Sequence, residues 1–329
     1  MLGWLNRMQP NITIFMKITF LEDSMHIVEV SGLCKSYPAF QLKNASFSLE
    51  SGQITGLIGR NGAGKTTTIR IIMGVFYQDT GEILIDGKKI NREKVKIGYL
   101  PEERGLYPKK HISEQLIYFG MLRGLSKQQA REACSKWLDR MDMTKYKDKK
   151  LETLSKGNQQ KIQLAATLLC DPQLVILDEP FSGLDPVNAM LLKDVIMEMI
   201  QSGAAVIFSS HQMNYIEEFC SDICILNGGK IALSGNIFDI KHSYPRNTIN
   251  IYAHKPDDVS SFIIRSFADK IEAADIDSKN ACVIVKLKNE ADKDELMLRL
   301  LNQKLDLDGF NVKEPSLNDI FVEYAEGGI

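Results

Sequence analysis

The sequence predicts an α/β protein with a largely parallel core sheet, an inserted helical subdomain and a small α+β module of ferredoxin-like order. Three observations carry this. Short apolar, β-rich runs alternate with helical segments between residues 25 and 240. One of them, 53–58, ends in a glycine-rich turn that opens a helix. Past about 242 the pattern changes to β-α-β-β-α-β, the order of a small ferredoxin-like sheet.

The chain has 329 residues, enough for about two domains. A hydrophobic share of 44% with 25% charged residues fits a globular protein. The formal net charge of −2 gives no basic field for nucleic acid. Six scattered cysteines include one close pair, Cys220 and Cys224, and no second pair to complete a zinc set. Reduced thiols are therefore expected. No run of 18 apolar residues predicts a membrane span. Residues 1–24 read as a loose extension or a start-site artefact, because Met25 directly precedes the first convincing strand, 26–30.

The strand at 53–58 leads into Gly59-Arg60-Asn61-Gly62-Ala63-Gly64-Lys65-Thr66, a complete G-x-x-x-x-G-K-[ST] phosphate-binding loop. Its glycines let backbone N–H groups close on phosphate oxygens where a Cβ would obstruct them. Lys65 can place a point charge on the β- and γ-phosphates, and the Thr66 hydroxyl can ligate Mg²⁺. Thr66 and Thr67 open the following helix, whose positive end faces the phosphates. Further strands are expected at 83–85, 96–100, 174–177, 205–208 and 222–226. Residues 112–154 lack strand signals and read as the helical insert, about 105–160 overall.

The run 174–177 ends in Asp178-Glu179-Pro180. Such a pair alone reads as a solvated acidic turn. After a phosphate loop, Asp178 can sit beside the Mg²⁺ directly or through water, and Glu179 can act as general base. Ser155 and Gly157 stand at the start of an amphipathic helix, where exposed N–H groups and a hydroxyl bind anions. His211 ends the strand 205–208 and can hydrogen-bond a γ-phosphate. Tyr37 offers a flat apolar surface for adenine.

These pieces occur in one order: the phosphate loop, 154–160, Asp178-Glu179, Ser182-Gly183-Leu184-Asp185 and His211. In that order residues 25–233 resemble the ATPase subunit of an ABC transporter. The resemblance implies a P-loop NTPase with a RecA-like core, and ATP and Mg²⁺ as ligands. It implies a head-to-tail dimer with a second copy or a paralogous ATPase, in which Ser155 and Gly157 contact the γ-phosphate held by the other protomer's Lys65. It assigns Tyr37 to adenine stacking, Glu179 to catalysis, His211 to γ-phosphate sensing and Ser182 to Asp185 to cross-talk. It also implies a separate integral-membrane permease that docks near 107–118, at the cytoplasmic face of the membrane, with no nucleic acid as partner.

Two motifs depart from the family pattern. The usual L-S-G-G-Q is here Leu154-Ser155-Lys156-Gly157-Asn158, and the usual sensing Gln is Glu102. The form Leu100-Pro101-Glu102-Glu103-Arg104-Gly105-Leu106-Tyr107 is similar to the sodium- and drug-export subgroup. So is the C-terminal Pro315-Ser316-Leu317-Asn318-Asp319-Ile320-Phe321 within the accessory segment 241–329. The competing reading is a soluble ABC ATPase acting on ribosomes or DNA. A single cassette without sustained heptads argues against it. A regulatory nucleotide-binding module without turnover is a third reading, opposed by Glu179 and His211.

Overall fold

The computed structural model describes residues 26–91, 95–103, 105–303 and 305–326. The readings for residues 1–24 and for Arg104 lie outside the described residues. Two antiparallel strands, β1 (His26–Tyr37) and β2 (Phe40–Glu50), come first. β3 (Ile54–Gly59) is buried at every position, as expected of a strand covered on both faces. It leads through the phosphate loop into α1 (Lys65–Ile72). β4 (Thr80–Ile85) then returns beside β1, and β5 (Lys88–Lys89) extends the edge.

The expected strand at 83–85 therefore lies in an antiparallel sheet of order β2-β1-β4-β5, not in the parallel one. A three-residue apolar run carries no information on strand direction. Gly81 helps set the pairing, because its φ of +89° and its close approach to the Gly32 backbone leave no room for a Cβ.

β6 (Ile97–Leu100) is followed by the helical insert. α2 (Ile112–Leu122) and α3 (Lys127–Arg140) pack together, and α3 starts on a capping box between Ser126 and Gln129. α4 (Lys156–Leu168) joins the insert to the core, capped by Ser155. Then come β7 (Leu174–Asp178), α5 (Pro186–Gln201), β8 (Ala205–Ser209), α6 (Met213–Phe219), β9 (Asp222–Asn227), β10 (Lys230–Asn236) and α7 (Ile237–His242). The main sheet has order β10-β9-β3-β8-β7-β6. All its pairs are parallel except β10 on the edge. Neither β2 nor β10 is anticipated by the sequence reading: β2 buries only three of its positions and β10 none, so neither carries a continuous buried apolar run.

Period-two alternation gives this sheet two cores. Val175, Leu177, Val206 and Phe208 face the helices of the insert and α5. Leu174, Ile176, Ala205 and Ile207 face α1 and the antiparallel sheet.

The next segment is β11 (Thr248–Ala253), α8 (Pro256–Ser266), β12 (Ile271–Asp277), β13 (Cys282–Leu287), α9 (Lys293–Asn302) and β14 (Leu307–Val312). Its antiparallel sheet has order β12-β13-β11-β14 around a separate apolar core, the ferredoxin-like arrangement. α10 (Leu317–Glu326) behaves differently from the rest of this segment. Its Leu317 and Ile320 are wholly buried in the core of the main sheet, against α6 and β9. Glu217 of α6 accepts from the Leu317 N–H at 2.8 Å, and Asn227 donates to the Tyr324 carbonyl at 2.9 Å.

Candidate nucleotide site

The parallel strands β3, β6, β7 and β8 all deliver their C-terminal ends to one edge of the sheet, where α/β sheets bind ligands. β3 delivers the phosphate loop, β6 Glu102, β7 Asp178 and Glu179, and β8 Ser209 to His211.

The loop has the backbone of a phosphate cradle. Gly62 has φ +82° with open space where a Cβ would stand, and Gly64 has φ +117° beneath the Phe40 ring. Gly59 has no room for a side chain, because a Cβ would lie 2.7 Å from the Leu226 carbonyl. Arg60 and Asn61 form the exposed rim, and the Ala63 N–H closes the turn on the Arg60 carbonyl at 3.0 Å. The Thr66 side chain is exposed and Thr67 half-buried at the first turn of α1, with N–H groups that no intrahelical carbonyl can satisfy. These features fit a triphosphate.

The Lys65 ammonium donates to the carbonyls of Gly59 and Arg60. Burial lowers its pKa, opposed by the charges of Glu179, Asp178 and Glu102. The charges of all three carboxylates thus act on this one cation, that of Glu102 least and from an exposed turn.

Asp178 pairs with Ser209 across β7 and β8, and the Ser209 hydroxyl donates to its Oδ1 at 2.7 Å. Burial raises the Asp178 pKa, and hydrogen bonds from Ser209 and Tyr99 work against that shift. Tyr99 is pushed up to about 12, by burial first and then by the Asp178 charge. A carboxylate that is costly to ionise here gains from a cation, so Asp178 and Thr66 suit Mg²⁺. Among the described residues no three His, Cys, Asp or Glu converge as a metal cage, so phosphate oxygens and water would complete the shell.

Glu179 is buried and adopts φ +50°, a left-handed conformation that costs about 1–3 kcal/mol in a residue with a Cβ. Three donors offset that strain. The Ser210 hydroxyl donates to Oε2 at 3.1 Å, and the His211 N–H donates to Oε1 at 2.8 Å. His211 Nδ1 also lies 2.8 Å from Oε1, while most of the imidazole stays exposed. Below this turn Phe181 stacks on Tyr215 and Phe219, with centroids at 4.4 and 4.9 Å.

A second group forms around the start of α4. The Ser155 hydroxyl caps the Asn158 N–H at 3.4 Å and is exposed. Gly157 lets α4 approach α5, for a Cβ there would lie 2.9 Å from the Asn188 amide nitrogen. Asp185 caps α5 by accepting from Val187 and Asn188, and its hydrogen bonds to Asn188 lower its pKa. Gly157 and Asp185 thus meet at Asn188, with Ser155 at the cap of the same helix as Gly157. Tyr37 ends β1 opposite Phe40, the ring that covers Gly64, and meets Phe76 edge-on at 6.2 Å.

Sequence reasoning passed over Tyr99, Ser209 and Asn188. The two serines before His211 were a usable signal, since hydroxyls at a strand end next to two acids invite pairing. Asn188 carries no local signal of this kind.

Comparison with known proteins fits this geometry. Residues 42–182 match the family described as ABC transporter. Residues 235–325 match the C-terminal domain of DrrA1-3-like ATP-binding proteins. An uncharacterized ABC transporter ATP-binding protein of Bacillus subtilis, YhaQ, is 41% identical over 301 residues, covering 91% of this chain and 96% of its own. The linearmycin resistance ATP-binding protein LnrL of the same organism is 36% identical over 203 residues, 60% of this chain and 65% of its own. A solved ATP-binding subunit of an ABC transporter superposes with a TM-score of 0.61 at 30% identity, covering 66% of this chain and 92% of that one. Transport is favoured over the ribosome or DNA reading. The chain belongs to the ATP-binding proteins of ABC transporters, whose hydrolysis of ATP is coupled to transport.

Proposed function

We propose that this chain is the motor of an exporter for drug- or antibiotic-like solutes, working through a separate membrane permease. One observation carries the substrate class: an ATPase of this family joined to a DrrA-like C-terminal domain, with a relative named for linearmycin resistance. Residues 25–240 form the ATPase domain and 241–329 the accessory domain in this reading. No described helix is long and apolar enough to cross a membrane; in this reading the permease holds the chain as a peripheral subunit at the cytoplasmic face.

Each residue of the site has its own task. Backbone N–H groups of 60–67 and the Lys65 ammonium hold the β- and γ-phosphates, and Tyr37 covers the base. Thr66 and Asp178 hold Mg²⁺, which when bound neutralises phosphate charge. Glu179 Oε1 or Oε2 takes the proton of the attacking water, and His211 positions Glu179 and senses the γ-phosphate. The exposed Ser155 and the N-terminus of α4 complete the site of a second copy or paralogous ATPase, with Asp185 at the contact.

The permease meets the surface around α2. Tyr107, Tyr118, Met121 and Leu122 are all exposed there. A cavity of 360 Å³ is lined by Tyr107, Lys110, Glu114, Gln115 and Tyr118. Exposed aromatic and aliphatic side chains in one place support a protein contact.

The test is transport in inside-out vesicles carrying this chain and the membrane protein encoded beside it. ATP-dependent uptake of linearmycin, lost with Lys65→Ala, is the expected result. ATP-driven sodium flux without antibiotic uptake would overturn the substrate class.

A further inference from the structure

α4 does more than carry Ser155. Gln163 is a buried amide on this helix, and its Nε2 donates to the carbonyls of Pro101 and Glu103, both at 3.1 Å. These two carbonyls flank Glu102. One turn further along, the Thr167 hydroxyl lies within donating distance of two carbonyls, Tyr99 at 3.1 Å and Gln163 of its own helix at 3.0 Å.

The spacing explains how one helix face holds this segment. β6 is extended through Leu100, and bends at Glu102 and Glu103 then bring the Pro101 and Glu103 carbonyls onto the one Gln163 amide nitrogen. Side chains at i and i+4 on a helix are about 6 Å apart. Gln163 and Thr167 are such a pair, and they run antiparallel to the segment they grip. Gly98 lets the two surfaces close, because a Cβ there would lie 2.9 Å from the Thr167 carbonyl. Arg123, at the end of α2, donates to the Ala166 carbonyl at 2.7 Å and fixes the other end of the same face. Gln160 of α4 also donates to the Pro180 carbonyl, next to Glu179.

We propose that Gln163 is a positioning residue that locks the Glu102 turn to α4, so that Glu102 and Ser155 move as one body. In the function proposed above, on which this division rests, Ser155 serves a second molecule while the Glu102 charge acts on Lys65 of its own. Through Gln163, displacement of α4 at the contact between copies becomes displacement of Glu102 at the phosphates. A permease leaning on α2 acts on the same body through Arg123.

The experiment compares wild type, Gln163→Met, Gln163→Asn and Glu102→Gln. Met keeps the volume and removes both donors. Asn keeps the amide but shortens its reach. Amide hydrogen exchange is read on the full chain without nucleotide, so it reports on the clamp whether or not the transport reading holds. In Gln163→Met, exchange across residues 102–107 is expected to rise about tenfold while the strands of the main sheet stay unchanged. Gln163→Asn is expected to fall between the two.

Steady-state ATPase kinetics give the second arm. Gln163→Met is expected to lower kcat about tenfold with KM within about twofold, and to have no further effect in the Glu102→Gln background. Unchanged exchange at 102–107, or a kcat loss that multiplies with Glu102→Gln, overturns the proposal. If Gln163→Met fails to fold, Gln163→Asn decides between the same outcomes by exchange and kinetics.

Discussion

His211 Nδ1 lies 2.8 Å from Glu179 Oε1, and the His211 N–H donates to the same oxygen at 2.8 Å. One residue of β8's end thus grips the general-base candidate twice, once with backbone and once with side chain. Replacing the imidazole leaves the backbone donor and the Ser210 hydroxyl in place. His211→Ala is therefore expected to keep the fold and ATP affinity within a few-fold, while lowering kcat by about 10²–10³. Single-turnover hydrolysis alongside a binding titration checks this; a variant with wild-type kcat would remove His211 from the chemistry.

Glu179→Gln keeps hydrogen-bonding capacity but cannot take a proton at neutral pH. ATP is expected to hold two copies together, seen as doubled mass in gel filtration that reverses when nucleotide is removed. A variant that stays single with ATP and Mg²⁺ would argue against a shared site.

Lys65 is a half-buried cation whose ammonium is otherwise used by loop carbonyls. Lys65→Ala is expected to weaken ATP binding by at least about tenfold while leaving the melting temperature within a few degrees. Calorimetric titration and a thermal melt together separate lost binding from lost folding.

Asp178 is costly to ionise because burial raises its pKa. The charged form therefore subtracts stability at neutral pH. That loss disappears as pH falls through the raised value, and below the ordinary carboxylate range it is gone. Without Mg²⁺, Asp178→Asn is expected to melt a few degrees higher than wild type at neutral pH, with the gap closing in acid. Adding Mg²⁺ and ATP should stabilise wild type more than the variant. Melting curves across pH with and without metal test both statements.

Leu317 is wholly buried against α6 and β9. Leu317→Ala is expected to cost about 2–5 kcal/mol, read by urea unfolding of the ATPase. A loss under about 1 kcal/mol would show that α10 contributes little to that core.

Much of the site was legible because it is local in sequence. A phosphate loop, an acid-tipped strand and a capped helix each announce themselves within ten residues. The ferredoxin-like segment was legible for the same reason, since β11 alternates cleanly and Asp277 to Asn280 make a hairpin turn. What sequence alone withheld is the pairing of distant pieces. The three-residue run 83–85 could not declare its antiparallel partner. The left-handed Glu179 was hidden as well, because its strain is balanced by donors 31 and 32 positions away. Gly157 read only as a phosphate contact, yet it also makes room for Asn188.

The seat of α10 on β9 and α6 bears on how the protein is made. A ribosome emits residues 26–242 long before Leu317 and Ile320, and those two side chains complete the apolar interior of the early part. Until they arrive, the nascent ATPase carries an uncovered greasy notch beside the helix that follows His211. Chaperone engagement should persist until the final helix emerges, and truncations that spare every nucleotide-binding residue should still aggregate.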